Sequence, residues 1–92
     1  MIVSFACKHT RSFFYSGDGR RFSNIAKVAA RKLMLLDAAV NLDDLRIPPS
    51  NHLEALSGNR AGQHSIRIND QFRLCFRWAG GCAHDVEIVD YH

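Results

Sequence analysis

The chain has 92 residues, 47% of them hydrophobic and only two of them proline, which is enough for one small hydrophobic core and too little for two. We therefore expect one domain over residues 1–92, and the formal net charge of +3 permits an anionic partner without demanding one. Residues 1–50 carry eight Lys and Arg against four Asp and Glu, and residues 51–92 carry four against five, so the first half could bind RNA or an acidic partner.

The three cysteines, Cys7, Cys75 and Cys82, are odd in number and form no Cys-x-x-Cys pair. This pattern is typical of a reducing cytoplasm rather than of a disulfide framework. The apolar run at residues 1–7 is interrupted at once by Lys8, so it is too short for a signal peptide or a membrane span. We expect a cytoplasmic protein that does not associate with a membrane.

The first 40 residues predict a short strand and two helices. Residues 2–5 are apolar enough for the strand, and residues 9–16 are typical of a short helix that Gly17 would end. A longer helix is predicted from Ser23, which can act as an N-cap, to Val40. Its buried side is expected to carry Ile25, Val28, Ala29, Leu33, Leu36 and Val40.

The opposite side of this longer helix carries Asn24, Lys27 and Arg31. Such a basic face is most often simply solvated. In a protein that acts on RNA, however, its cationic side chains could contact phosphates. Lys27 and Arg31 are therefore candidate RNA-binding residues.

Beyond the helix-breaking pair Pro48-Pro49, the apolar period changes to two, which is typical of strands. A short strand is predicted at residues 53–56, and longer ones at residues 64–68, at residues 72–78 and around residues 86–88. Two helices followed by an antiparallel meander form an α+β fold in which the helices cover one face of the sheet.

The turn between the second and third strands sets their register. A three-residue loop at residues 69–71, with Asn or Asp in a left-handed conformation, pairs Ile68 with Phe72 and keeps the apolar side chains on one face. It also places Arg67 opposite Arg73 on the other face. Like charges so placed are unfavourable by up to about 1 kcal/mol unless an anion lies between them or they splay into water. We therefore predict an anion site on this face.

The same reasoning predicts Arg77 opposite Asp85 in the next hairpin, as an ordinary surface salt bridge. Continuing the last strand places Tyr91 on the face of Arg73, with His92 beside it. Strand arginines next to a Tyr-His pair are groups that can bind a phosphate and transfer protons around it without a metal. RNA cleavage is therefore the leading functional hypothesis.

The second half also contains an ordered set of residues: Leu53-x-x-Leu56-x-Gly58-Asn59-Arg60-x-Gly62-x-x-Ser65-Ile66-x-Ile68-Asn69-x-x-Phe72-Arg73-Leu74-x-Phe76, followed by Asp85-Val86 and Asp90-Tyr91-His92. With the opening Met1-Ile2-x-Ser4-Phe5 and the long helix, this set resembles the HigB toxins of the RelE superfamily over nearly the whole chain.

The resemblance implies a RelE-like fold and a bacterial toxin that a HigA-type antitoxin holds inactive. Such toxins enter the ribosomal A site and act as metal-independent endoribonucleases, in which the 2′-hydroxyl of the mRNA attacks the adjacent phosphate. By position, Arg73 would stabilise the charge that develops on the scissile phosphate. Tyr91 and His92 would supply acid, base or orienting groups, and Asp90 would hold that segment in place.

Many relatives place a His and a Lys three residues apart in the strand before the Gly-x-Arg loop, where this chain has Glu54 and Ser57. One candidate base and one cation are thereby lost. Glu54 is a candidate general base, since neighbours or burial can tune the pKa of a carboxylate. Arg60, Arg67 or His64 could supply the missing phosphate contact.

Three of these signals have a structural explanation beside the functional one. Arg60 lies in a loop between glycines, where an exposed side chain is expected. His64 falls on the core side in the predicted register, so we expect a hydrogen-bonded structural histidine. Cys7-x-His9 and Cys82-x-His84 would form a zinc site only if the two segments met, and we expect no metal or cofactor.

Two other functional classes remain open from the sequence. The same superfamily contains ParE-like toxins, which act on DNA gyrase rather than on RNA. A non-catalytic nucleic-acid-binding or interaction module is the other possibility. Cleavage of mRNA on translating ribosomes would distinguish the leading hypothesis from both.

Overall fold

Two helices cover one face of a four-stranded antiparallel sheet in the computed structural model, which describes residues 1–91. In chain order the elements are α1 (Lys8–Ser16), α2 (Ala26–Ala38), β1 (Glu54–Ala55), β2 (His64–Arg67), β3 (Phe72–Ala79) and β4 (Cys82–Asp90). The strands lie in the spatial order β1-β2-β3-β4. This arrangement confirms the predicted α+β fold. None of the helices within residues 1–91 has the length and apolar character needed to cross a membrane.

The core lies between the helices and the sheet. Alternate residues of β3 point into it, and of these Leu74 and Phe76 are fully buried members of the core cluster. Leu33 and Leu36 of α2 meet them from the helix side, and Phe13 of α1 is also buried. The apolar side chains at every second position of β3 and those at helical spacing on α2 therefore pack into one layer.

Helix α2 begins later than the sequence predicts. Its N-cap is Ile25 rather than Ser23, because the chain first forms a 3₁₀ turn at Arg20–Phe22. That turn buries Phe22 against Phe13, with ring centroids 5.7 Å apart. The helix also ends early, so Val40 is 71% exposed. Its predicted place on the buried side is wrong.

The predicted first strand is reduced to two isolated parallel bridges. Ile2 pairs with Ala83 and Phe5 pairs with Val86 along the outer edge of β4. The amide of Ile2 also donates to Asp37 Oδ1 at 2.8 Å. The opening segment is thus fixed both to the sheet and to the end of α2.

The three-residue loop between β2 and β3 is confirmed, and Arg67 lies opposite Arg73 as predicted. The local conformation is different, because neither Asn69 nor Asp70 has a positive φ. Instead, Asn69 Oδ1 accepts the amides of Gln71 at 2.9 Å and of Phe72 at 2.7 Å. The Asn69 side chain thus takes the place of a backbone carbonyl as the acceptor that closes this turn.

The second hairpin contains a β-bulge that the predicted register lacks. Between Cys75 and Arg77 the pairing shifts, so Arg77 lies opposite His84 rather than opposite Asp85. Asp85 is the extra residue and has φ +53°. The predicted ion pair nevertheless forms, with Arg77 Nε 3.5 Å from Asp85 Oδ2.

Core packing should dominate the stability of this small fold. We expect Leu36→Ala, at a fully buried position of α2, to lower the free energy of unfolding by about 2–5 kcal/mol. Met34→Ala, on the same helix but 68% exposed, is the matched control and should change it by less than about 1 kcal/mol. Urea denaturation followed by circular dichroism measures both. Equal effects would contradict the assigned helix orientation.

Candidate functional site

Arg73 is held on the face of the sheet that the helices leave uncovered, here called the open face. Its Nε donates to Ser65 Oγ at 2.7 Å, and its Nη2 donates to the main-chain carbonyl of His52 at 2.7 Å. The same Nη2 lies 3.0 Å from Glu54 Oε1. The Arg73 side chain is only 14% exposed, so its guanidinium has a fixed orientation at the surface.

Glu54 reaches Arg73 because β1 pairs with β2. In that pairing Glu54 lies opposite Ser65, and Ser65 is the fully buried hydroxyl that binds Arg73. The Glu54 side chain is 55% exposed. A substrate could therefore approach the carboxylate while the guanidinium beside it stays in place.

A second guanidinium on the open face comes from Arg60. Its Nη1 donates to Glu87 Oε1 and to Gln63 Oε1, each at 3.0 Å. Both side chains of the Arg60–Glu87 pair are about 70% removed from solvent, with 30% and 27% exposed. The expectation of an exposed arginine in the glycine-flanked loop is therefore wrong, because β4 supplies a carboxylate that draws Arg60 back over the sheet.

Tyr91 lies on the same face as Arg73, as predicted. Its hydroxyl is 3.7 Å from the sulfur of Cys75, which lies two residues beyond Arg73 on β3. Gln71 holds the segment, because its carbonyl accepts the Tyr91 amide at 2.7 Å and its Nε2 donates to Asp90 Oδ2 at 3.0 Å. His92 lies outside the described residues.

Burial raises the pKa of Tyr91 above its ordinary value of 10.0, and the hydrogen bond with Cys75 acts in the same direction. The positive charges of Arg60 and Arg73 oppose this rise in pKa, so the phenol lies within electrostatic reach of both. At neutral pH it is protonated and can donate a proton. Burial likewise raises the pKa of Cys75, which makes a thiolate unfavourable there.

Arg67 and Arg73 lie opposite each other, but their side chains pair with different carboxylates. It pairs with Asp70 in the hairpin loop, while Arg73 pairs with Glu54. Separate carboxylates relieve the repulsion between these like charges, which removes the reason to expect an anion between them. Arg60, rather than Arg67, is the second cation acting on Tyr91.

The remaining candidate residues lie apart from Arg73. Lys27 and Arg31 are exposed on α2, in the helix layer on the other side of the sheet.

His64 stacks on Phe76 with ring centroids 6.3 Å apart, as its predicted core orientation requires. Its Nδ1 is buried and has no hydrogen-bond partner among residues 1–91, so the expectation of a hydrogen bond is wrong for that atom.

Sequence reasoning missed several groups that hold the site together. Glu87 lies opposite Cys75, and this pairing follows from the register that places Arg77 opposite Asp85, so its position beside the site was available from the pattern. The His52 carbonyl had no such signal, because a backbone acceptor is not encoded by a side-chain type. Within residues 1–91, no three His, Cys, Asp or Glu side chains are grouped as metal ligands would be.

Comparison with known proteins places these features in a family. Residues 3–92 match the model of the HigB-like toxins, described as the RelE-like toxin of the type II toxin-antitoxin system HigB. Toxin HigB-1 of Vibrio cholerae is 44% identical over 85 residues, which cover 90% of each chain. An uncharacterized protein of Haemophilus influenzae is 48% identical over 68 residues, covering 72% of this chain and 67% of the other.

Two solved structures share the fold. Both are YoeB-YefM complexes from Staphylococcus aureus, one of them described as a heterotetrameric toxin-antitoxin complex. They superpose with TM-scores of 0.63 and 0.62 at 18% identity, over all of this chain and 98% of the matched chains. The likeness confirms the RelE-like fold.

The raised pKa of Tyr91 can be measured directly. In a Tyr15→Phe variant Tyr91 is the one remaining tyrosine, and its phenolate absorbance should appear with a midpoint above 10.0. Adding Cys75→Ala should move the midpoint towards 10.0, because it removes the hydrogen bond that raises the pKa. Circular dichroism at each pH shows whether the chain is still folded. A midpoint below 10.0 in the folded protein would contradict this placement of Tyr91.

Proposed function

The chain belongs to the HigB family of RelE-like toxins of type II toxin-antitoxin systems, and we propose that it cleaves mRNA on the ribosome by a metal-independent mechanism centred on Arg73. Toxins of this kind are generally endoribonucleases, and cleavage of mRNA inhibits translation. One observation carries the proposal for this chain. A guanidinium fixed by Ser65, His52 and Glu54 lies on the open face with a protonated Tyr91 within electrostatic reach.

The partners follow from the family. A toxin of a type II system is paired with an antitoxin, and the structural relatives from Staphylococcus aureus are themselves toxin-antitoxin complexes. We propose a HigA-type antitoxin as the inhibitor and the ribosomal A site, with its mRNA, as the target. The exposed cations Lys27 and Arg31 would contact RNA phosphates from the helix layer.

Arg73 would stabilise the scissile phosphate. Its hydrogen bonds within residues 1–91 use Nε and Nη2, which leaves Nη1 to meet a phosphate oxygen. A donor already fixed in direction needs no reorganisation as charge develops in the transition state. Arg60 would add a second positive charge once a phosphate competes with Glu87 for it. Arg60 is better placed for this role than Arg67, because its charge acts on Tyr91 together with that of Arg73.

Glu54 and Tyr91 would divide the proton transfers. The exposed Glu54 carboxylate would take the proton of the 2′-hydroxyl as that oxygen attacks the phosphorus. Tyr91, which is protonated at neutral pH, would donate a proton to the leaving 5′-oxygen. The products are a 2′,3′-cyclic phosphate and a free 5′-hydroxyl. His92, at a position that matches the family pattern, is the alternative group for either transfer.

The first test removes the fixed guanidinium. In a translating extract, Arg73→Ala should slow mRNA cleavage, mapped by primer extension, by roughly 100- to 1,000-fold, as expected for loss of one preorganised transition-state contact. Arg77→Ala is the matched control, because Arg77 is two residues beyond Cys75 on the same strand but pairs with Asp85, which makes no contact with Arg73.

Cleavage by Arg73→Ala at the wild-type rate would reject the mechanism. A DNA-damage response without new mRNA ends would instead indicate a ParE-like action on gyrase. Ribosome binding without any cleavage by the wild-type chain would indicate a non-catalytic binding module.

The second test concerns the base. Glu54→Gln keeps the shape of the side chain but not its basicity, so single-turnover cleavage should fall by roughly 100- to 10,000-fold. Asp43→Asn, at an exposed carboxylate paired with Arg46, is the control. If Glu54→Gln cleaves as fast as wild type or faster, Glu54 only occupies Arg73 until RNA arrives, and the base is another group.

A further inference from the structure

Helix α2 carries a buried lysine whose position is unusual for a cation. Lys32 is 8% exposed and forms no ion pair with a carboxylate among residues 1–91. Its Nζ donates instead to Asn51 Oδ1 at 2.5 Å. Burial lowers the pKa of Lys32, and the nearby Arg31 and Arg67 lower it further. An ammonium group that is buried without a carboxylate depends on a neutral acceptor, and Asn51 is that acceptor here.

Asn51 connects Lys32 to the segment that leads into the sheet. It is fully buried, and its Nδ2 donates to the carbonyls of Leu45 at 3.0 Å and Ile47 at 3.4 Å. Its own amide donates to the carbonyl of Pro48 at 2.9 Å. These three hydrogen bonds restrain the connector between α2 and β1.

The next residue contacts Arg73. His52 has φ +46° and ψ +57°, a left-handed conformation that is uncommon for residues other than glycine. In that conformation its carbonyl accepts the Nη2 of Arg73 at 2.7 Å. Among the three acceptors that hold Arg73, this is the one supplied by the backbone, so its position depends on how the preceding residue is fixed.

We propose that Lys32 and Asn51 are positioning residues for Arg73, because the buried hydrogen bond between them fixes the His52 carbonyl that orients the guanidinium. The contacts run without a gap from Lys32 to Asn51, along the chain to the His52 carbonyl, and from there to Arg73. A residue on the helix side of the sheet thereby controls a group on the open face. This inference rests on the proposed role of Arg73 in cleavage.

Two variants, Lys32→Met and Asn51→Asp, test whether these contacts position the guanidinium of Arg73. The first removes the ammonium donor and keeps an unbranched apolar stem. The second keeps an acceptor for Lys32 but replaces the amide that donates to the Leu45 and Ile47 carbonyls. Lys8→Met, at an exposed lysine of α1, is the control for loss of a positive charge.

The direct readout is the Nε–H signal of Arg73 in a ¹⁵N-correlation spectrum, assigned as the signal that Arg73→Lys removes. We expect this signal to shift or broaden in Lys32→Met and Asn51→Asp and to stay unchanged in Lys8→Met. On translating ribosomes, kcat for mRNA cleavage should fall about 10- to 100-fold in the first two variants with KM unchanged, as for a misplaced catalytic group. In an Arg73→Ala background, neither substitution should slow cleavage further.

An unchanged Arg73 signal together with wild-type kcat in both variants would overturn the inference. So would the same loss of cleavage with and without Arg73, since that result indicates general damage. A displaced Arg73 signal combined with normal cleavage by Arg73→Ala supports the positioning role and rejects the catalytic one. Should Lys32→Met fail to fold by urea denaturation, the same measurements on Asn51→Asp decide the question.

Discussion

Burial of Leu74 and Phe76 beneath the helices is the constraint on which the rest of the structure depends. Because side chains on a strand alternate, placing these two residues in the core sends Arg73 and Cys75 to the open face. Pairing with β2 and β4 then brings Ser65 and Glu87 to the same face. A register slip of one residue would bury a guanidinium and expose the core, so the packing that stabilises the fold also locates the site.

Each of the two guanidiniums of the site forms an ion pair with a carboxylate, so the positive charges are neutralised before a substrate binds. Arg73 pairs with Glu54, and Arg60 pairs with Glu87. A carboxylate partner offsets the desolvation of each partly buried guanidinium, and the same pairing keeps both side chains ordered. An incoming phosphate therefore meets donors that are already in place, and it competes with carboxylates rather than with bulk water. In the proposed mechanism one of these carboxylates, Glu54, has a second role as the base.

Several of the groups that orient the site come from outside the strands that carry it. The connector between α2 and β1 supplies the His52 carbonyl, and the loop between β2 and β3 supplies Gln71, which holds Tyr91. Each of these connections is closed by an amide side chain, Asn51 in the first and Asn69 in the second. Irregular segments can position a reactive group when buried or local hydrogen bonds satisfy their backbone.

The sequence by itself determined the α+β class, the covered and open faces of the sheet, and the pairing of Arg67 with Arg73, since these follow from periods and turn length within about ten residues. Local pattern also placed Tyr91 on the face of Arg73. Only the tertiary structure decided the late start of α2, the bulge at Asp85, the Arg60–Glu87 pair and the contact from Lys32 to Asn51. The Arg60–Glu87 and Lys32–Asn51 contacts join side chains that are distant in the chain, and the other two features depend on how neighbouring segments pack against each other. Residue type and spacing do not record which of the competing contacts wins.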